Sequence, residues 1–157
     1  MMEYGFYKQT KLGQVGIFCD EVGITKVVFQ KQKLDPNIVI QETPLIKKAF
    51  IELEEYLLGL RTEFQLPLHP RGTVFQKKVW KLLTEIPYGK IECYSSIAAK
   101  LGNKNAARAV GMANHCNPIP IFIPCHRVVG KSGNLTGYAL GLKLKEKLLA
   151  LERENIT

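Results

Sequence analysis

At 157 residues and 46% hydrophobic content the chain is long enough for one ordinary domain or two small ones around a packed core, and no apolar run reaches the ~18 residues of a membrane span. No basic leader precedes an apolar stretch, and the four cysteines and three histidines show neither a Cys-x-x-Cys pair nor a repeated metal spacing, so a cytoplasmic protein without disulfides or bound metal is expected. The net charge of +8 is uneven: residues 1–70 carry 8 Lys or Arg against 9 Asp or Glu (−1), and residues 71–157 carry 14 against 5 (+9).

The basic second half suits a polyanion partner whose phosphates contribute affinity through counterion release, or simply a surface kept soluble by lysines. Charge alone leaves both readings open.

Short β-branched runs split by turn residues, Gly13 to Cys19 and then Gly23 to Phe29, predict antiparallel strands. After Asp35-Pro36-Asn37, the apolar residues Leu45, Ile46, Ala49, Phe50, Leu53, Tyr56 and Leu57 recur at spacings of three and four and stop at Gly59. That is an amphipathic helix with a glycine stop. Pro67, Pro70 and Gly72 then cluster where the charge balance changes, which places a domain boundary near 70–72.

From a Thr73 cap, Val74, Phe75, Val79, Trp80, Leu82 and Leu83 form one side of a helix, with Lys77, Lys78 and Lys81 on the other. Pro87-Tyr88-Gly89 closes it. Helical patterns at Ser95 to Leu101 and about Lys104 to His115, separated by Gly102-Asn103, fit a helix-turn-helix. Small residues dominate the second of these, with Arg108 the long basic side chain among them. Such a helix approaches another surface closely or packs tightly inside its own domain.

Three prolines in Asn117 to Gly130 predict a rigid, buried, extended segment leading to Cys125-His126-Arg127. A turn-rich loop, 131–138, precedes a last helix from about Leu142. Its Leu144, Leu148 and Leu151 are expected inward, and Lys143, Lys145, Lys147 and Glu152 on the polar side. A nucleophilic cysteine at neutral pH needs a neighbouring base or positive field, because a free thiol titrates near ~8.5. His126 is adjacent to Cys125, and Glu152 either orients His126 in a Cys–His–Glu relay or is an exposed carboxylate; spacing does not decide.

Val74-Phe75-Gln76, Tyr88-Gly89-Lys90, Tyr94, Ala106-Ala107-Arg108-Ala109-Val110-Gly111, Asn117-Pro118-Ile119-Pro120 and Pro124-Cys125-His126-Arg127-Val128 together resemble the 6-O-alkylguanine-DNA alkyltransferases over roughly residues 73–153. The resemblance implies an α+β fold: an N-terminal ribonuclease-H-like α/β domain with antiparallel strands (1–71), and a C-terminal, mostly helical, winged-helix-like domain (72–157). It implies repair of duplex DNA by a monomer without cofactor, in one stoichiometric transfer of an alkyl group from the 6-oxygen of guanine, or from 4-O-methylthymine. Cys125 would accept the alkyl group, His126 act as base through a water, Glu152 orient it and Asn117 brace the segment. Tyr94 would assist nucleotide flipping and donate to guanine, while Val128, Tyr138, Ala139 and Lys145 surround the base. Arg108 would enter the base stack from a minor-groove helix whose Ala106, Ala107 and Gly111 permit close approach. Ala139 and Leu140 stand where some relatives carry serine and glycine, and the zinc ligands of some relatives are absent.

Two other classes compete. A cysteine hydrolase would use the same relay but explains neither the +9 half nor the small-faced helix. A helix-turn-helix regulator or damage sensor would bind DNA without reacting.

Overall fold

The computed structural model describes residues 1–130 and 141–155. The chain divides into two compact units, Met1–Arg71 and Gly72–Thr157. The molecule is α+β, with a sheet in the first unit and mainly helices in the second.

In the first unit, β1 (Glu3–Thr10) and β2 (Gly13–Cys19) form an antiparallel hairpin. Its turn needs the positive φ of Gly13 (92°), a region that glycine enters without a Cβ clash. β3 (Ile24–Val28) extends the hairpin antiparallel to β2, as the β-branched runs predicted. The sequence reading passed over β4 (Ile38–Ile40), which lies parallel to β1 and completes the order β3-β2-β1-β4. Three residues are too few to show a period.

α1 (Pro44–Leu57) starts at Thr43, whose side chain accepts from the Ile46 N–H, with proline in the first turn where its missing donor costs nothing. Its buried Ile46, Ala49, Phe50, Leu53 and Tyr56 face the sheet, each contributing about 1.5–3 kcal/mol if fully buried. The Asp20 carboxylate accepts from Val22 N and Gly23 N and bonds His69 Nδ1 at 2.7 Å, fastening the β2–β3 turn to the strap at 67–71.

In the second unit α2 (Val74–Thr84) opens with a reciprocal capping box between Thr73 and Gln76. Val79, Trp80 and Leu83 are buried, but Val74 and Phe75 are exposed, contrary to the side assigned from periodicity. They sit in the first turn, before the helix reaches its packing partner. Trp80 Nε1 donates to the Ala113 carbonyl at 2.8 Å. β5 (Glu92–Cys93) runs directly into α3 (Tyr94–Lys100), Gly102 turns the chain at φ 81°, and a 3-10 turn at Lys104–Ala106 leads into α4 (Ala107–His115). The segment after α4 is buried as expected but not extended. It folds into turns and a 3-10 turn at Cys125–Arg127 before β6 (Val128–Val129), which pairs parallel with β5. Proline at 118, 120 and 124 withholds the donors a ladder would need, so turns prevail. α5 (Leu142–Glu154) closes the unit. No helix among the described residues is long and apolar enough to cross a membrane.

Candidate active site

Cys125 and His126 share a single 3-10 turn, and both are buried. The turn removes the difficulty that neighbours on a flat strand point to opposite faces. His126 Nε2 lies 2.6 Å from Glu152 Oε2 on α5. Glu152 is 1% exposed, so it is not a surface carboxylate, and the polar side assigned to α5 is corrected at two positions: Lys145 and Glu152 both point inward. Leucine spacing alone could not show this, because the burial of a charge depends on partners from other elements.

Those partners are Arg127, Gly89 and Val128. Arg127 donates through Nε to Glu152 Oε1 (2.9 Å) and through Nη2 to Oε2 (3.0 Å), a bidentate fork, while its Nη1 donates to the Ile86 carbonyl (2.8 Å). Gly89 N donates to Glu152 Oε1 at 3.0 Å. Burial alone would push the Glu152 carboxyl up, but the hydrogen bonds and charges of His126 and Arg127 outweigh it and hold the group at about 2. Glu152 is therefore an anion that only accepts, and His126 Nε2 carries the proton. Burial lowers the His126 pKa more than Glu152 raises it, leaving a neutral imidazole with its lone pair on Nδ1.

Lys145 is 0% exposed and donates to the Val128 carbonyl at 2.5 Å. Burial lowers its ammonium to about 8, against an opposing attraction to Cys125. It is a positive charge beside the thiol, which favours thiolate.

Asn117 spans the turn before the cysteine. Its Oδ1 accepts from Ile119 N (3.0 Å) and its Nδ2 donates to the Ile123 carbonyl (2.9 Å). Between them Ile121 is held at φ 75°, a conformation costly for a β-branched residue by about 1–3 kcal/mol. Tyr94 is half-buried at the start of α3, with its ring against Gly111 of α4. Arg108 and Ala109 are exposed on α4, Ala106, Ala107 and Gly111 are half-buried, and Val110, Ala113 and Asn114 turn inward. Val128 is buried beside the site, and Tyr138 and Ala139 lie outside the described residues.

Cys125, His126, Glu152, Val128 and Lys145 are thus gathered in one place, with Asn117 bracing the approach, whereas Arg108 stands on an outer face. Sequence reasoning noted Arg127 only as a charged neighbour of Cys125 and gave no role to Gly89 or Asn114. For Arg127 the signal existed: an arginine next to a buried relay needs a carboxylate. It also passed over Cys93, half-buried and bonded to Ser95 Oγ (3.1 Å) and Ser96 Oγ (3.2 Å). Among the described residues no three His, Cys, Asp or Glu side chains are grouped to hold a metal ion.

Two family models match. The 6-O-methylguanine DNA methyltransferase DNA binding domain covers residues 74–154, and the ribonuclease-like domain of the same family covers residues 2–70. A methylated-DNA–protein-cysteine methyltransferase of Methanosarcina acetivorans is 44% identical over 96% of this chain and 98% of its own length. The constitutive enzyme of that name from Bacillus subtilis is 44% identical over 99% and 98%. Among solved structures, the O6-methylguanine methyltransferase of Mycobacterium tuberculosis superposes with a TM-score of 0.89 at 38% identity, covering 99% of this chain and 96% of that one. The same organism's OGT in complex with DNA gives 0.88 at 38% identity, covering 97% and 94%. Both units match, in order and nearly end to end, and the chain belongs to the 6-O-methylguanine DNA methyltransferase family.

Proposed function

We propose that the protein repairs duplex DNA by moving a methyl or other alkyl group from the 6-oxygen of guanine to Cys125, once per molecule, with residues 72–157 carrying both the chemistry and the DNA face. The observation that carries this reading is the buried His126–Glu152 pair at 2.6 Å on the turn that also holds Cys125.

The thiol proton passes toward His126 Nδ1, directly or through a water, because Nε2 is committed to Glu152. Lys145 stabilises the resulting thiolate. The sulfur lone pair then forms a bond to the alkyl carbon while the carbon–oxygen bond breaks, and the electron pair of that bond leaves with the guanine. The base regains a proton from a nearby donor, for which Tyr94 at the foot of α3 is the candidate. In-line attack needs the base outside the duplex stack, since the thiol is buried in the protein. Arg108, on the exposed face of a helix poor in bulky side chains, suits the space the nucleotide leaves. The product is a thioether that neutral imidazole and a carboxylate do not cleave, so the acceptor is consumed.

Intact-mass measurement after incubation with a duplex containing 6-O-methylguanine tests this. The expected result is a gain of one methyl group, mapped to Cys125 and absent in Cys125→Ala. Unchanged mass with tight binding to the duplex would overturn repair in favour of a non-reacting damage sensor.

A further inference from the structure

The inward face of α4 carries a polar residue that the mechanism above does not use. Asn114 is 2% exposed, and its Nδ2 donates to the main-chain carbonyl of Cys125 at 3.3 Å. Its Oδ1 is equally buried and has no hydrogen-bond partner among the described residues. An amide left half-satisfied in a protein interior costs free energy, and leucine, of similar volume, would fill the place without that cost. Turning the carboxamide over offers no relief, because Oδ1 would then face the Cys125 carbonyl, acceptor against acceptor. The orientation is dictated by Cys125.

The connection joins α4 to the turn that carries the thiol. Arg108, Ala109, Met112 and His115 are exposed on the opposite face of α4. The neighbouring Ala113 carbonyl is held by Trp80 Nε1 of α2, so α4 is fixed at this point of its length. Within the 3-10 turn, Cys125 N donates to the Ile123 carbonyl (2.7 Å), Arg127 N to the Pro124 carbonyl (3.0 Å), and Val128 N to the Cys125 carbonyl. These bonds shape the turn but do not anchor it to a helix.

We infer that Asn114 is a positioning residue for the transfer reaction: its hydrogen bond to the Cys125 carbonyl fixes the reactive main chain, and hence the thiol, to the helix that meets DNA. This rests on the reading of Cys125 as the alkyl acceptor. The half-satisfied amide is retained because a loss of alignment of about 1 Å at a reacting centre costs on the order of 100-fold in rate.

The test compares the wild type with Asn114→Leu and Asn114→Ser, leaving His126, Arg127, Lys145 and Glu152, the charged and titratable groups around the thiol, in place. Three quantities are read: the melting temperature, the single-turnover methyl-transfer rate at saturating duplex together with duplex affinity, and the pH midpoint of Cys125 alkylation by iodoacetamide. Mass spectrometry of the Cys125 peptide separates that thiol from Cys93 and the others. Asn114→Leu is expected to melt no lower than wild type and to bind duplex equally well, while transferring about 10- to 100-fold more slowly. Its Cys125 midpoint moves up, because the thiol is no longer held beside Lys145, and Asn114→Ser behaves alike in both respects. A folded variant with the wild-type rate and midpoint overturns the inference, whether or not its melting temperature falls. Failure of both variants to fold also overturns it, by making the residue structural. If the wild type transfers no methyl group, the functional reading fails by itself, and the iodoacetamide midpoint still decides the role of Asn114.

Discussion

At Glu152, one buried carboxylate satisfies a histidine, the guanidinium fork of Arg127 and the Gly89 N–H. Removing its charge strands a buried arginine, and breaking such a pair from one side costs about 3–5 kcal/mol. Glu152→Gln should therefore unfold at lower denaturant and transfer little alkyl group, seen by urea titration and by intact mass. A variant as stable as wild type would show that Arg127 is compensated elsewhere. Cys93 presents a different case. Hydroxyl donation by Ser95 and Ser96, helped by their backbone N–H groups, lowers its thiol to about 7 against a modest opposing effect of burial. Iodoacetamide should label Cys93 with a midpoint near that value, and replacing both serines by alanine should move the midpoint up. No movement would assign the shift to the start of α3 instead. The two differ in how far their partners lie along the chain: Cys93 is set by the serines two and three residues on, whereas Glu152 draws its partners from Gly89, His126 and Arg127, far along the sequence.

The elements show how short motifs become rigid. The segment 117–124 contains no regular strand or helix, yet it holds Ile121 at φ 75° because the Asn117 carboxamide closes the turn from both sides. Asn117→Ala leaves the buried Ile119 N–H and Ile123 carbonyl without that partner, at roughly 1–3 kcal/mol each. The expected result is a lower denaturant midpoint at unchanged m-value, with slowed transfer; a stability change below ~0.5 kcal/mol would mean the prolines hold the turn by themselves. On α4 the division of faces makes a separate prediction. Arg108 is exposed and outside the buried relay, so Arg108→Ala should slow repair of duplex more than transfer from a free 6-O-alkylated base. Equal loss on both substrates would remove it from extrusion and place it in the chemistry. The small residues of this helix and the proline run were legible in the sequence. The shape of the proline run was not, since proline says where a ladder cannot form without saying which turn replaces it.

For the whole molecule, the shifted groups set its response to acid. Glu152 titrates at about 2 when folded against a reference of 4.5, and Asp20 is also lowered, its backbone and His69 bonds outweighing burial. Depressed carboxylates contribute stability that is complete above their unfolded values and lost as pH falls through the folded ones. His126, lowered mainly by burial, adds to this, because below its reference of 6.5 the unfolded chain takes up a proton that the folded site refuses. The melting temperature should thus fall from about pH 6.5 downward, steepening between about 4.5 and 2. In Glu152→Gln the steep part should flatten, and a profile parallel to wild type would show that other carboxylates govern acid unfolding. By itself, the sequence determined the mixed α+β class, the antiparallel runs that became β2 and β3, the amphipathic α1, the basic second half and the residues Cys125, His126, Asn117 and Arg108 as worth attention. The strand runs, α1 and the basic half are written in local spacing, turn chemistry and summed charge, whereas the α+β class and the part given to Asn117 are what the resemblance of the motifs implies. Only the tertiary structure decided that Lys145 and Glu152 point inward, that Arg127 joins them, and that Asn114 reaches the Cys125 carbonyl. A buried charge or amide is stable only through partners from distant elements, and such partnerships leave no periodic trace along the chain.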